Sequence, residues 1–255
     1  MKAFELAIYC DLTPKQMVSD EVRALLGSLP FTHYFCSVET SKGVRKYDRN
    51  DARRVAAAYP GKFCCPVAWP AEQFTREYIE WLWQLHDAGL QGGYMVLDLE
   101  HQYKGVADAW EHALMREFEG LGRVTTHTGH PIVQHPDKYP SGRLAYHLEV
   151  QALSVATRDG KDIPPESQLA SGHLQRLAVR LGKATNGLVP HLTLPAYRQT
   201  HQPGGPIAAM SLQLQTALDE GCPGVSVWSL KHFLRNDYAV EFWRDHAPVL
   251  IAAAR

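Results

Sequence analysis

Asp98 and Glu100 are the residues of this chain best placed for proton-transfer chemistry. They close the segment Gly92-Gly93-Tyr94-Met95-Val96-Leu97-Asp98-Leu99-Glu100, which reads as a buried apolar strand ending in Asp-x-Glu. Residues two apart on a strand share a face, so the two carboxyl groups are expected side by side, roughly 7 Å apart at Cα. Two partly desolvated carboxylates repel each other, which raises the pKa of at least one. A proton-donating acid beside an ionised partner is what cleavage of a glycosidic bond requires. The competing reading is structural. Glu100 would then pair with a base such as Arg158 or Lys231, and Asp98 would serve as a hydrogen-bonding acid.

Strand-like and helix-like segments alternate through all 255 residues and must position this pair. Strands are expected over Phe4–Asp11, Phe31–Thr40, Lys62–Trp69, Gly93–Glu100, Pro131–His135, Ala152–Arg158, Leu188–Tyr197 and Gly224–Leu230. Helices are expected over Pro14–Leu29, Arg49–Ala58, Ala71–Ala88, Ala107–Gly120, Gln168–Gly182, Ile207–Glu220 and Tyr238–Ala254. Gly142–Gln151 adds a stretch with helical spacing of Leu144, His147, Leu148 and Gln151. Thr13 is the expected N-cap of the first helix, with Pro14 its first residue. Such an alternation in a chain of this length predicts an α/β fold, a single (β/α)8 TIM barrel spanning residues 1–255 as one catalytic domain. The alternative is an open doubly wound sheet. It expects a Gly-rich phosphate loop after the first strand, where Cys10-Asp11-Leu12-Thr13-Pro14 stands instead.

Barrel enzymes draw catalytic side chains from the carboxyl ends of the strands. The expected strand ends carry Tyr9 and Asp11, Ser37 and Glu39, Trp69, then Asp98, Glu100 and His101. Gln134 and His135 follow, then Thr157 and Arg158, Tyr197, and finally Trp228, Ser229 and Lys231. Acids, amides and aromatic rings at one mouth suit a carbohydrate, with ring faces stacking on sugars and polar tips fixing hydroxyls. Each also has a plainer reading. Asp11 precedes Thr-Pro and could serve a helix N-terminus. Glu39 could be a solvated loop acid, Trp228 a core filler and Trp69 a packing staple. His127, His130 and His135 with His101 raise a metal reading, yet the first strand has no His-x-His and no helix carries HExxH. No metal and no other cofactor is expected.

Composition narrows the partners. The chain is 45% hydrophobic and 21% charged with a net charge of -1, which gives no electrostatic reason to expect nucleic acid. No apolar run approaches the ~20 residues of a membrane span. The five cysteines match neither a zinc pattern nor a disulfide framework. With an N-terminus that runs directly into a strand, they suggest synthesis in a reducing cytoplasm without a signal peptide.

Leu97-Asp98-Leu99-Glu100 resembles the end of the fourth-strand signature of family 18 chitinases, Asp-x-x-Asp-x-Asp-x-Glu, and the Asp-x-Glu of hyaluronidases and family 25 lysozymes. Gly224-Val225-Ser226-Val227-Trp228 is similar to the eighth strand of these barrels, and Pro195-Ala196-Tyr197-Arg198-Gln199 falls on the seventh. The two earlier acids of the chitinase motif would fall on Gly93 and Val96, and the sixth strand ends Ala156-Thr157-Arg158-Asp159 rather than in Met-x-Tyr. The resemblance implies a glycosidase for an N-acetylhexosamine polymer, peptidoglycan first, with chitin-like and hyaluronan-like chains behind it. It implies Glu100 as general acid, Asp98 as its partner, Asp11 and Tyr197 as further catalytic residues, and Trp228 as floor for the cleaved sugar. Trp69, Glu39, Gln134, Tyr9 and His101 complete the expected substrate contacts. A phage-type lytic enzyme, released by lysis or carried on a virion, would fit the N-terminus. The alternatives are an inactive carbohydrate-binding or structural barrel and a metal-dependent barrel hydrolase. Oligomeric state and linkage are not readable from these residues.

Overall fold

The computed structural model of the chain describes residues 3–40, 42–69, 75–98, 116–118, 120–127, 145–149, 179, 183, 191–196 and 205–254. Its strands are β1 (Glu5–Cys10), β2 (His33–Ser37), β3 (Phe63–Ala68), β4 (Met95–Asp98), β5 (Gly122–His127), β6 (Ala145–Glu149), β7 (His191–Pro195) and β8 (Gly224–Trp228). All neighbours pair in parallel and in chain order, and β8 pairs back to β1 with Leu6 opposite Val225 and Ile8 opposite Val227. The sheet therefore closes, and β1, β2, β3, β4 and β8 are buried on both faces along most of their length. That accounts for near-continuous apolar runs rather than alternation.

The two faces have separate cores. Ala7, Tyr9, Phe35, Cys65, Val67 and Val96 pack together inside the ring, joined by Trp69, Tyr94 and Trp228. Leu6, Ile8, Cys10, Tyr34, Cys36, Leu97, Val225 and Val227 face outward into a second, larger core with the helices. Gly224 is required for closure. A Cβ there would lie 2.4 Å from the Glu5 carbonyl oxygen and 2.6 Å from the Glu5 Cβ, so the β1–β8 seam admits no side chain.

The described helices are α1 (Pro14–Met17), α2 (Asp20–Gly27), α3 (Arg49–Ala58), α4 (Arg76–Asp87), α5 (Gly205–Asp219), α6 (Leu230–Phe233), α7 (Asp237–Glu241) and α8 (Ala247–Ala253). Thr13 caps α1 as expected. Its hydroxyl accepts from the Gln16 amide at 3.3 Å while the Gln16 side chain accepts from the Thr13 amide at 3.0 Å. The single helix expected over Pro14–Leu29 is split, because Ser19 accepts from the Val22 amide at 3.4 Å and starts a second helix. The last helix also departs from expectation. A π-helical segment, Phe242–His246, separates α7 from α8 where Pro248 supplies no amide hydrogen to the turn before it.

The middle of the chain corrects the sequence reading. The fifth strand is Gly122–His127, not Pro131–His135, and the sixth is Ala145–Glu149, where helical spacing had suggested a helix. Gly-Arg-Val-Thr-Thr-His is too polar to stand out as an apolar run, although its Val and Thr suit a strand. In Ala-Tyr-His-Leu-Glu, five residues are too few to separate a period of 2 from one of 3.6. Gln134 and His135 therefore do not end the fifth strand. The expected helices over Ala107–Gly120 and Gln168–Gly182 and the strand expected over Ala152–Arg158 lie wholly or mostly outside the described residues.

The amino end of the barrel is plugged by charge. The Glu5 carboxylate is ion-paired with the buried Arg123 guanidinium, which lies 3.4 Å from the Tyr94 ring centroid. The Tyr94 hydroxyl donates to Glu5 at 2.9 Å, and His191 Nδ1 lies 3.8 Å from the same carboxylate. Burial pushes Glu5 up, but Arg123 and then His191 pull it further down, and it stays below the ordinary carboxylate range. Burial, then the Arg123 charge, pushes His191 down to about 3, so the imidazole is neutral.

Candidate active site

The opposite mouth is formed by the carboxyl ends of the strands, and it gathers most of the expected residues that lie within the described chain. Asp98 is the last residue of β4 and shares the inner face with Val96. Its side chain is buried, with 1% of its surface exposed. β4 runs beside β3 with Ala68 opposite Leu97, so Asp98 and Trp69 follow on neighbouring strands at the same height.

An aromatic cluster stands at the same end of the barrel. Tyr9, fully buried at the end of β1, lies 5.0 Å from the Trp228 ring centroid, and Trp69 lies 6.1 Å from Trp228 on the other side. Trp228 and Trp69 are each partly exposed, and both pack on the inner core rather than among the outer helices. The Trp228–Ser229 peptide is cis. Beneath this layer the Thr193 and Ser226 hydroxyls hydrogen-bond at 2.7 Å, and Ser37 is buried on β2.

Asp11 and Glu39 sit beyond the ends of β1 and β2. The Asp11 carboxylate is 3.0 Å from the Lys231 ammonium and accepts from the Lys231 amide at 3.4 Å. Lys231, considered a possible partner of Glu100, is thus engaged with Asp11. Glu39 is not a solvated loop acid, being 1% exposed. It accepts from the Trp69 amide at 2.7 Å and from the Tyr78 hydroxyl of α4, which ties the start of the Trp69 loop to the barrel wall. Burial pushes its carboxyl up to about 7, against the opposing pull of Tyr78, Trp69, Arg45 and Lys46.

Tyr78 and Lys46 are the mouth residues that strand-end reasoning missed. Tyr78 belongs to the apolar face of α4 with Trp81 and Leu85, and nothing in that spacing distinguishes it. Trp81 is a packing residue, donating to the Tyr47 carbonyl at 3.1 Å beneath the Arg45 guanidinium. Glu100, His101, Gln134 and Tyr197 lie outside the described residues. Among the described residues, no group of three or more His, Cys, Asp or Glu side chains could hold a metal ion, and no helix is long and apolar enough to cross a membrane. All five cysteines are buried free thiols.

Glu39 makes a testable contribution to stability. Its folded-state pKa of about 7 lies above the ordinary 4.5, so the folded state holds this proton more tightly than the unfolded chain. The stabilisation is present in full below pH 4.5 and is lost as the pH rises to about 7, a change on the order of 3 kcal/mol. Glu39→Gln keeps an oxygen to accept both hydrogen bonds and has no charge to bury. It should be more stable than the wild type above pH 7, by about 1–3 kcal/mol in urea unfolding. Parallel pH dependences for the two proteins would disprove this account.

No family model matches the sequence, and no curated protein matches it. Solved structures do match the fold. A protein assigned as chitinase A from Streptomyces coelicolor aligns over 98% of this chain and 99% of its own, with a TM-score of 0.59 at 12% identity. The C-terminal domain of an assigned chitinase from Desulfitobacterium hafniense DCB-2 aligns over 100% of both chains, with a TM-score of 0.57 at 11% identity. The catalytic domain of a hyperthermophilic chitinase from Pyrococcus furiosus aligns over 90% of this chain and 84% of its own, with a TM-score of 0.55 at 12% identity. At these identities the likeness is one of fold: this chain has the α/β barrel architecture of those structures.

Proposed function

We propose that the chain is a glycoside hydrolase built on a single (β/α)8 domain. It acts on an N-acetylhexosamine polymer, peptidoglycan before chitin, with Glu100 as general acid and Asp98 as its partner. The observation that carries this reading is the buried Asp98 carboxyl at the carboxyl end of β4, the same end of the barrel that gathers Tyr9, Trp69 and Trp228. A buried carboxyl group in such a mouth is expensive unless it serves a partner or a substrate. The Asp-x-Glu spacing supports pairing Glu100 with Asp98, because residues two apart on a strand share a face. The chitinases that share the fold support the class of bond cleaved.

In the mechanism, Glu100 protonates the glycosidic oxygen and later activates water. Asp98 holds the reacting group and, when ionised, keeps the Glu100 proton in place. Tyr197 assists at the acetamido group. Trp228 stacks under the sugar, backed by the buried Tyr9 ring, Trp69 walls the cleft, and Gln134 and His101 serve substrate hydroxyls. Synthesis in the cytoplasm with release by lysis fits this activity.

The test is hydrolysis of labelled peptidoglycan and of labelled chitin by the full chain, with and without EDTA. Release of reducing ends in both buffers is expected. Binding without release would favour the inactive sugar-binding barrel. Activity that EDTA abolishes would favour the metal-dependent hydrolase.

A further inference from the structure

Among the described residues that follow β1, β2 and β8, two lysines lie near one carboxylate that makes an ion pair. Lys231 follows β8 and is half-exposed, with its ammonium 3.0 Å from Asp11. Lys46 reaches the same place from another element. The chain after β2 folds back on itself, with the Thr40 amide donating to the Val44 carbonyl at 2.9 Å and the Lys46 amide to the Val38 carbonyl at 2.8 Å. This returns Lys46 to the end of β2, where it is half-buried and within electrostatic reach of Asp11, Lys231 and Glu39. Among the described residues its ammonium forms no ion pair. Burial pushes it down and Lys231 adds to that, with Asp11 and Glu39 opposing.

Among the described residues, Asp11 is thus paired with Lys231 and only influences Lys46 from a distance. Glu39 is a poor second counter-charge, because its carboxyl is turned to the Trp69 amide and the Tyr78 hydroxyl and carries its proton for much of the time near neutral pH. His232, next to Lys231, contributes no negative charge. This group sits beside the aromatic cluster: Asp11 lies two residues beyond Tyr9, and Lys231 three beyond Trp228, with Tyr9 and Trp228 in ring contact. A sugar stacked on Trp228 would present its ring substituents to these lysines.

We propose that Lys46 and Lys231 form an anion subsite at the barrel mouth that takes the carboxylate of an acidic sugar. The proposal rests on the glycan reading of this mouth and narrows it from neutral chitin to carboxylate-bearing chains. The shared chemistry is a carboxylate on or beside a pyranose ring, which a lactyl ether and a uronic acid both supply.

The test is equilibrium binding of soluble oligosaccharides to the full chain carrying Glu100→Gln, which prevents turnover during titration. The probes are neutral N-acetylglucosamine tetramer, a muropeptide-free oligomer bearing lactyl carboxylates, and a hyaluronan tetrasaccharide. At least one acidic probe should bind more tightly than the neutral one. Lys46→Gln should weaken that acidic probe about fivefold and leave the neutral one unchanged, and added salt should weaken the acidic probe alone. Lys46→Glu gives a larger loss if the site is correct, and near-ultraviolet circular dichroism checks the fold of both variants. The two acidic probes separate the lactyl source from the uronate source. Equal binding of neutral and acidic probes, or acidic binding untouched by either Lys46 variant, overturns the anion subsite and leaves the glycan reading standing. Failure of every probe to bind overturns both.

Discussion

Glu100→Gln should lose about 10²–10⁴-fold in turnover of the preferred polymer while keeping the fold and sugar affinity. The amide has the shape of the carboxyl but cannot supply the proton, so the loss should fall on kcat and leave KM nearly unchanged. Asp98→Asn tests the partner. Asp98 is buried at the carboxyl end of β4, so its charge acts through little intervening water. Removing that charge should lower activity and move the alkaline limb of the pH profile to lower pH, because Glu100 then releases its proton more easily. Full activity in Glu100→Gln would end the mechanism. An unmoved pH profile in Asp98→Asn would remove Asp98 from it.

Glu5→Ala should destabilise the protein by about 3–5 kcal/mol without touching the mouth, because Arg123 would keep a buried charge without its carboxylate. At roughly 2–4 °C per kcal/mol for a chain of this size, Tm should fall by on the order of 10 °C. The same plug sets the acid limit. Glu5 has a folded pKa below its ordinary 4.5, so its contribution is present above that value and is lost as the pH falls below it. His191, at about 3 against an ordinary 6.5, acts in the same direction over a wider window. The unfolded chain binds that proton first, and stability drains as the pH falls from 6.5 towards 3. Glu39 acts in the opposite direction between 4.5 and about 7. Glu39 therefore offsets much of the His191 loss from pH 6.5 to 4.5, where the lowered His33 and His232 leave a gentle fall, and wild-type stability should drop steeply below. Glu39→Gln should begin to lose stability as the pH falls through about 6.5, since the opposing Glu39 proton is gone. Urea midpoints measured across pH 3–8 check both curves, and a level profile for the variant would show that His191 does not titrate as described.

Much of this was legible in the residues. Arg49–Ala58 is the helix its sequence predicted, with Asp48 and Asp51 forming a capping box that no tertiary contact is needed to explain. β1, β3 and β8 fall within one or two residues of their expected limits, because strands buried on both faces read as unbroken apolar runs. The inward direction of Asp98 followed from parity alone, and the neighbouring of the first and eighth strands from the strand count. Tyr9, Trp69 and Trp228 were placed at the mouth by the same logic.

The remainder depended on groups far apart in sequence. Residues 122–127 form a strand although Arg123 is charged, because Glu5, 118 residues away, supplies its counter-charge inside the barrel. Ala145–Glu149 takes a strand's period where five residues permit either, because closure leaves a strand-shaped gap between β5 and β7. Glu39 reads as a solvated loop acid until Tyr78 and the Trp69 amide enclose it, and only that enclosure lifts its pKa to about 7. Lys46 and Lys231 lie 185 positions apart and come near Asp11 only once β1, β2 and β8 stand side by side. Local patterning fixes what a segment can be and which way its side chains alternate. Burial and charge pairing across the closed barrel decide which of those side chains meet, and hence which can do chemistry.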